Sequence, residues 1–317
     1  MLAFKKKLIQ GPLAGYSCAP FRELAEKCGQ PDFCCSEMLS AQHIYHNAKQ
    51  RKRYRYKSPH EGLLCVQLAG DKPEVLAYAA QKAVSWGADF IDLNCGCPKP
   101  KIRKKSLGSR LLEDSEQLHQ LVLALKHAVQ VPVLVKIRID SDSGDHFNHE
   151  VAHAIESAGA DAITVHGRHW TEDYGVPVNY QDIAQIKSLV KIPVIANGDI
   201  KDTASAKKMF SETNCDALMI CRAGVGQPWL FEKINQELQG RIYTPPSLAE
   251  IGALFLTHVQ GLIELDSERI ALLESRKLGK YYARGYLNHT SFPEEISKVS
   301  VYKDLLAVVE KYFFDRL

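Results

Sequence analysis

The chain has 317 residues, with 40 Lys and Arg against 37 Asp and Glu, 45% hydrophobic and 24% charged residues. This composition is that of a globular chain and excludes disordered and collagen-like classes; the length suits one large domain or a large one plus a small one. No uninterrupted apolar run approaches the ~18–20 residues of a spanning helix, and Met1–Lys7 has no apolar stretch behind its charges, so neither a membrane segment nor a signal peptide is expected and a cytoplasmic setting is.

Short β-type runs alternate with helical patterns from the N-terminus to about residue 222. The expected strands are Leu8–Ala14, Phe33–Met38, Leu63–Ala69, Phe90–Asn94, Val133–Ile139, Ala162–His166, Pro193–Asn197 and Ala217–Cys221. Between them, apolar residues recur at three- and four-residue steps over Phe21–Cys28, Pro73–Trp86, Ser115–Val129, His149–Ala158 and Asp202–Glu212. Gly29, Gly87 and Gly159 are the expected stops, and Asp202 is an expected N-cap. Val133-Leu134-Val135 and Val194-Ile195-Ala196 are apolar throughout, as parallel strands covered on both faces are.

Eight β/α alternations predict a (β/α)8 barrel. A doubly wound sheet competes, but no GxGxxG follows the first strand and no P-loop is present. Gly240–Ser247, with Pro245-Pro246, is an expected linker. From Leu248 on the pattern is helical. The expected division is a barrel over residues 1–240 and a small helical domain over 241–317. No internal repeat beyond the β/α alternation is expected.

Nine cysteines are many, but no CxxC occurs and no export signal accompanies them. Reduced, buried thiols are the expectation, with no disulfide framework and no metal site. Cys34-Cys35 reads as core. His43, His46, His146, His149 and His153 read as surface or satisfied histidines. Two acid-free basic runs stand out. Residues 49–57 carry six cations with Tyr54 and Tyr56 interleaved, and residues 99–105 carry five. Such runs suit a solvated surface or a polyanion, with aromatics available to stack on unpaired bases.

In a (β/α)8 barrel the chemistry lies at the C-terminal ends of the strands. Those ends here carry Ala14-Gly15, Glu37, Gln67, Asn94 through Pro98, Lys136 and Arg138, His166-Gly167-Arg168, Asn197-Gly198-Asp199, and Cys221-Arg222. So many polar ends point to a lined pocket. The last two loops, with small residues and Arg222, suit an anion. Lys136 needs a bound anionic or flavin-like ligand, or a partner such as Glu37. Asn94-Cys95-Gly96-Cys97-Pro98 puts a thiol just beyond a strand end on a sharply turned loop, a candidate nucleophile or general acid; two thiols two residues apart with no partner pair are thin evidence for a metal. An ordinary thiol is mostly protonated at neutral pH and can donate a proton.

These residues together resemble the tRNA-dihydrouridine synthase family. The resemblance runs from Gly11-Pro12-Leu13-Ala14-Gly15 through Ser36-Glu37-Met38, Val66-Gln67-Leu68-Ala69-Gly70 and Asp92 through Pro98. It continues through Lys136-Ile137-Arg138, His166-Gly167-Arg168, Ile195 through Ile200 and Met219 through Arg222, to Arg276-Lys277. It therefore covers essentially the whole chain, and the surrounding sequence is most similar to the bacterial B-type branch.

The resemblance implies tightly bound FMN, reduction by NADPH, and hydride transfer to C6 of a tRNA uracil, with Cys97 protonating C5. It implies FMN contacts from Pro12, Ala14, Gln67, Lys136 and His166. Asn197, Gly198, Asp199, Cys221 and Arg222 would hold the ribityl-phosphate end. Asn94, Arg138 and Tyr174 would contact the uracil or its nucleotide. The basic run that directly follows the cysteine loop would sit on the barrel rim, so Lys101 and Arg103, with Arg276 and Lys277 of the helical part, are expected RNA contacts. Arg276, Lys280 and Arg284, at i, i+4 and i+8, are expected on one helix face.

Two positions depart from the family pattern. Cys221 stands where Gly is usual, and Leu278 stands where His often follows Arg-Lys. A side chain at 221 either crowds the phosphate or points away from it. The implied partner is tRNA; neither DNA, a membrane nor an obligate protein partner is expected. Two rival functions remain. One is a small-molecule FMN oxidoreductase of the dihydroorotate dehydrogenase-like type. The other is a catalytically silent tRNA-binding barrel.

Overall fold

The computed structural model of the chain describes residues 2–47, 50–139, 145–287 and 290–314. Its strands are β1 (Leu8–Gln10), β2 (Cys34–Cys35), β3 (Leu39–Ser40), β4 (Leu64–Ala69), β5 (Phe90–Cys95), β6 (Val133–Arg138), β7 (Ala162–His166), β8 (Val194–Asn197) and β9 (Ala217–Ile220). Every ladder is parallel. The pairing order β2-β1-β9-β8-β7-β6-β5-β4 closes through β2 to β4, giving a barrel of eight strand positions.

Strand ends differ from expectation for local reasons. The ladder of β1 ends where Gly11 N–H bonds Ile220 O at 2.8 Å, because Pro12 has no N–H to extend it. The expected strand over 33–38 is broken. β2 and β3 both pair with β4, at Cys35↔Cys65 and Leu39↔Leu68. Between them, Ser36 Oγ accepts from Gln67 N–H at 3.1 Å. Glu37 turns aside there to accept from Gly15 N–H and to pair with Arg53.

Outside the barrel lie α1 (Ala19–Gly29), α2 (Ala41–His46), α3 (Lys52–Arg55), α4 (Pro73–Ser85), α5 (Pro100–Arg103), α6 (Ser115–Ala128), α7 (Asp145–Ser157), α8 (Tyr180–Leu189), α9 (Thr203–Thr213) and α10 (Leu230–Leu238). Their apolar faces bury Leu76, Leu121, Ile155, Ile186 and Met209 against the strands. α9 opens with the expected Asp202 N-cap, which accepts from Ser205 N–H. Gly29 is the last residue of α1, and the left-handed cap that stops the helix is Gln30, at φ 45°.

The lower rim shows a device that recurs with the β/α alternation. Asp89, Asp161 and Asp216 each precede a strand, and each accepts the N–H that opens the neighbouring one: Leu64, Val133 and Val194. Each also pairs with a lysine: Lys57, Lys126 and Lys187. The device is spread over Gly87-Ala88-Asp89, Gly159-Ala160-Asp161 and Asn214-Cys215-Asp216, a pattern too degenerate to stand out as a motif.

Residues 240–247 are extended and mostly exposed. They lead to α11 (Leu248–Leu265), α12 (Glu268–Tyr282), α13 (Phe292–Lys298) and α14 (Tyr302–Val309), followed by a π-helical turn at Glu310–Phe314. α11 opens with a Ser247/Glu250 capping box. Its length and mean hydropathy of 1.3 would suit a membrane span, although Glu250, His258, Gln260 and Glu264 interrupt its apolar run. Its buried face of Ile251, Phe255, Val259 and Leu262 packs on α1 and α12. The cluster continues into Cys18, Phe21, Val225 and Trp229 of the barrel.

His258 is fully buried in that cluster, with Nδ1 3.1 Å from Tyr282 Oη. Burial, and then the charge of Arg53, push its pKa down to about 3. An unfolded histidine titrates near ~6.5. Below that pH the unfolded chain takes up a proton that the folded chain refuses, so stability is lost as pH falls. The slope approaches ~1.4 kcal/mol per pH unit from this group. His258→Asn is therefore expected to flatten the stability profile between pH 6 and 4 in denaturant titrations. Parallel wild-type and variant profiles would contradict this.

The first basic run is only partly a free surface: Arg51, Lys52 and Arg55 are exposed, but Arg53 and Lys57 are held by acids. Lys49 lies outside the described residues. Arg53 is 9% exposed and pairs with Glu37 at 3.1 Å and with Asp266 and Glu274 at 3.0 Å each. Lys57 pairs with Asp89, Lys52 Nζ donates to Glu264 O, and Arg55 Nε donates to Gln50 O. The run ties the barrel to the α11–α12 turn.

Candidate active site

A cavity of about 1040 Å³ opens at the C-terminal ends of the strands. Successive strands deliver side chains to it because alternate residues face the barrel axis. Gln67 comes from β4, Asn94 from β5, Lys136 and Arg138 from β6, His166 from β7 and Asn197 from β8. Loops add Pro12, Ala14, Cys97, Lys101, Tyr174, Gly198, Asp199, Cys221 and Arg222. Arg103, Arg276 and Lys277 do not line it.

One hydrogen-bonded chain orders the floor and lip. Asp92 Oδ2 accepts from Gln67 Nε2 at 2.7 Å, and Gln67 Oε1 accepts from Asn94 Nδ2 at 2.8 Å. Asn94 Oδ1 then accepts from Cys97 N–H at 3.0 Å. This chain assigns the orientation of both amides. Asp92 is 1% exposed, and burial raises its pKa to about 7 against the opposing effects of Gln67 and Lys136. Its Oδ1 has no hydrogen-bond partner among the described residues.

Lys136 does not pair with Glu37, the alternative raised from sequence, because Glu37 is held by Arg53 and Gly15. Lys136 Nζ instead donates to Asn197 Oδ1 at 2.9 Å, and burial lowers its pKa. Asn197 Nδ2 donates to Met219 O and reaches Cys221 Sγ at 3.6 Å. The Cys221 thiol, raised by burial, is packed over Gly11: a Cβ at residue 11 would collide with Cys221 Sγ and Met219. The side chain at 221 thus points across to β1 and is accommodated by the missing side chain there.

The wall beside it is cationic. Arg168 is 1% exposed, pairs with Asp199, and donates to Val176 O at 2.6 Å and Tyr174 O at 3.3 Å, shaping the loop that carries Tyr174. Arg222 lies 3.8 Å from Asp199 and stacks 3.5 Å from the centroid of the Tyr174 ring. Burial, then Lys136, Arg138, Arg168 and Arg222, push the His166 pKa down to about 2, so this imidazole is neutral at physiological pH. Gly198 and Asp199, at φ 126° and 49°, turn the chain sharply beside these cations. A cavity with arginines along one wall and Lys136, Gln67 and Asn94 on its floor fits a flat polar ring with an anionic tail.

The helical segment reaches the mouth through Tyr281 and Arg284. Tyr281 meets Tyr16 edge-on at 5.7 Å, Arg284 lies over Tyr281 at 4.7 Å and Lys277 over Tyr16 at 3.9 Å. The expected cation stripe is split. Arg276 donates twice to Val299 O, while α12 ends at Tyr282 and leaves Arg284 in the turn beyond. Leu278 is core. Sequence reasoning did not single out Tyr16, Tyr281 or Asp92. An acid inside the apolar run Phe90-Ile91-Asp92-Leu93 was the available signal for the last.

A family model described as Dihydrouridine synthase (Dus) matches residues 9–317. The chain is 35% identical over 311 residues to tRNA-dihydrouridine synthase B of Vibrio vulnificus (strain CMCP6), covering 98% of this chain and 96% of that relative. Against tRNA-dihydrouridine synthase B of Yersinia pestis it is 35% identical over 309 residues, covering 96% and 95%. Among solved structures, morphinone reductase superposes with TM-score 0.54 at 12% identity over 77% of this chain and 88% of that one. Histamine dehydrogenase from Rhizobium sp. 4-9 superposes with TM-score 0.57 at 16% identity, over 87% and 49%. The structural likenesses show the barrel fold.

Proposed function

The chain belongs to the dihydrouridine synthase family, and from that premise we propose that it is a flavin-dependent oxidoreductase that reduces uridine to dihydrouridine in tRNA. The observation that carries this reading is a single cavity with a thiol, Cys97, at its lip and a buried cation, Lys136, at its floor. Main chain at Pro12 and Ala14 and side chains of Gln67, Lys136 and His166 would hold the flavin ring. Asn197, Gly198, Asp199, Cys221 and Arg222 would hold its phosphate end. Bound there and reduced by NADPH, the flavin supplies a hydride for uracil C6.

The protein's part is position and protons. Cys97 delivers the proton to C5. Asn94, Arg138 and Tyr174 orient the uracil, which must leave its stack to enter the barrel mouth. Neutral His166 donates or accepts a hydrogen bond without adding charge. We assign the barrel, residues 1–240, to catalysis and residues 241–317 to RNA, with Lys277, Arg284, Tyr16 and Tyr281 at the seam. The cytoplasm supplies both the tRNA and the nicotinamide.

Visible absorption of the purified protein tests the cofactor. Flavin bands, with FMN released on denaturation, are expected. Protein that stays colourless after incubation with FMN would contradict the reading. At the rim, Lys101→Ala is expected to weaken tRNA binding and make the log-affinity against log-salt slope shallower by about one. Its rate of flavin reduction by NADPH should match wild type. Unchanged tRNA affinity and slope would move the RNA path elsewhere.

A further inference from the structure

The loop that carries Cys97 is gripped on both sides. Asn94 holds the Cys97 N–H, and Arg138 Nε donates to the Gly96 carbonyl at 2.9 Å. The Cys97 carbonyl accepts from Ser109 N–H at 3.1 Å and from Ser109 Oγ at 3.2 Å. Ser109 Oγ in turn accepts from Arg103 Nη1 at 2.9 Å. Gly108, at φ 63°, lets this strap lie flat on the cysteine: a Cβ there would sit 2.6 Å from the Cys97 carbonyl oxygen.

Arg103 itself is clamped. Its Nη2 pairs with Glu113 at 2.6 Å, and its guanidinium carbon lies 3.5 Å from the centroid of the Trp170 ring. Its side chain is 12% exposed. A guanidinium with one face stacked and its edge shared between a hydroxyl and a carboxylate is poorly placed to meet a phosphate. The second basic run therefore divides: Lys99 and Lys101 face the cavity, and Arg103 faces the loop's own support.

Resting on the reductase reading above, we propose that Arg103 is a positioning residue for Cys97, acting through the Ser109 hydroxyl that grips the Cys97 carbonyl. Trp170 and Glu113 hold Arg103 in place. The loop after β7 and the turn at 108–113 thereby set where the thiol is presented. Loss of this support lets the thiol drift, and drift of about 1 Å in a reacting group can cost up to ~100-fold in rate.

The test uses flavin-loaded protein carrying Arg103→Met, Ser109→Ala or both. Three quantities are measured: dihydrouridine formation at saturating tRNA, tRNA affinity with its salt slope, and the rate of Cys97 alkylation by iodoacetamide, followed by mass spectrometry without tRNA. The expected result is a fall in saturated rate of about 10-fold or more in each single variant. The double variant should be no worse than the weaker single, as for residues acting in one chain of contacts. Alkylation of Cys97 should change several-fold, while tRNA affinity and salt slope stay within about twofold.

Arg103→Met that instead loses tRNA affinity with a shallower salt slope, and keeps both its saturated rate and its alkylation rate, would make Arg103 a phosphate contact and overturn the proposal. Should Arg103→Met not fold, a Ser109→Ala variant with wild-type rate and alkylation would overturn it equally. Wild-type protein that binds flavin yet forms no dihydrouridine overturns the reductase reading instead. The alkylation comparison would still decide whether Arg103 positions the thiol.

Discussion

Cys97→Ala is expected to lower dihydrouridine formation by about 10²–10⁴-fold, the usual contribution of a positioned general acid. Flavin content and the rate of flavin reduction by NADPH should match wild type. The reasoning is geometric. Cys97 and Cys221 are both half-buried thiols lining the cavity, Cys97 in the loop at its lip, whereas Cys95 is buried on β5. Cys95 is raised well above the ordinary thiol range by burial, which leaves it poorly matched to proton traffic at the mouth. Cys221 faces Gly11 and Asn197 within the same cavity. Single-turnover measurements of dihydrouridine against enzyme separate these thiols. Full activity in Cys97→Ala would remove it as the acid and direct attention to Cys221.

The second large effect is on stability. Arg53→Ala is expected to destabilise the protein by about 3–5 kcal/mol, the cost of removing one partner from a buried charge cluster. Three carboxylates, Glu37, Asp266 and Glu274, converge on this guanidinium. Without it they repel one another in a poorly solvated seam, and Glu274 is already raised by burial. Glu37 also accepts from Gly15 N–H in the loop beside Pro12 and Ala14, so the variant should loosen that side of the cavity as well. Equilibrium unfolding in urea reads the loss, and a change below about 1 kcal/mol would show that the cluster is solvated rather than buried.

The same arginine shows where sequence reading stopped. A run of six cations without an acid reads as a free basic surface. Its acids come from residues 37, 266 and 274, and nothing local in the chain announces such distant partners. Arg276 is a similar case, since its carbonyl partner at Val299 belongs to the far end of another helix. Arg103 is a third, in a run whose cations look alike until Trp170 and Glu113 are placed beside one of them.

The cavity was far more legible. In a closed parallel barrel the inward residues near the C-terminal end of each strand face the mouth, so Gln67, Asn94, Lys136 with Arg138, His166 and Asn197 converge. Asp92 lies one inward step deeper on β5 and was visible only as an acid in an apolar run. The break at Ser36–Met38 was hidden, because side-chain hydrogen bonds rather than backbone propensity interrupt that strand. Cys221 was recognisable as an unusual residue for its position. Its direction depends on the space left by Gly11, two barrel strands adjacent in space and remote in sequence.

The most direct test is anaerobic mixing of the NADPH-reduced, flavin-loaded protein with tRNA lacking dihydrouridine. The account predicts that the oxidised flavin spectrum returns as tRNA is added and that mass spectrometry finds dihydrouridine at a defined uridine, in amounts matching the flavin oxidised. Flavin that stays reduced in the presence of such tRNA, yet is reoxidised by a small unsaturated carbonyl compound, would contradict it and favour a small-molecule reductase.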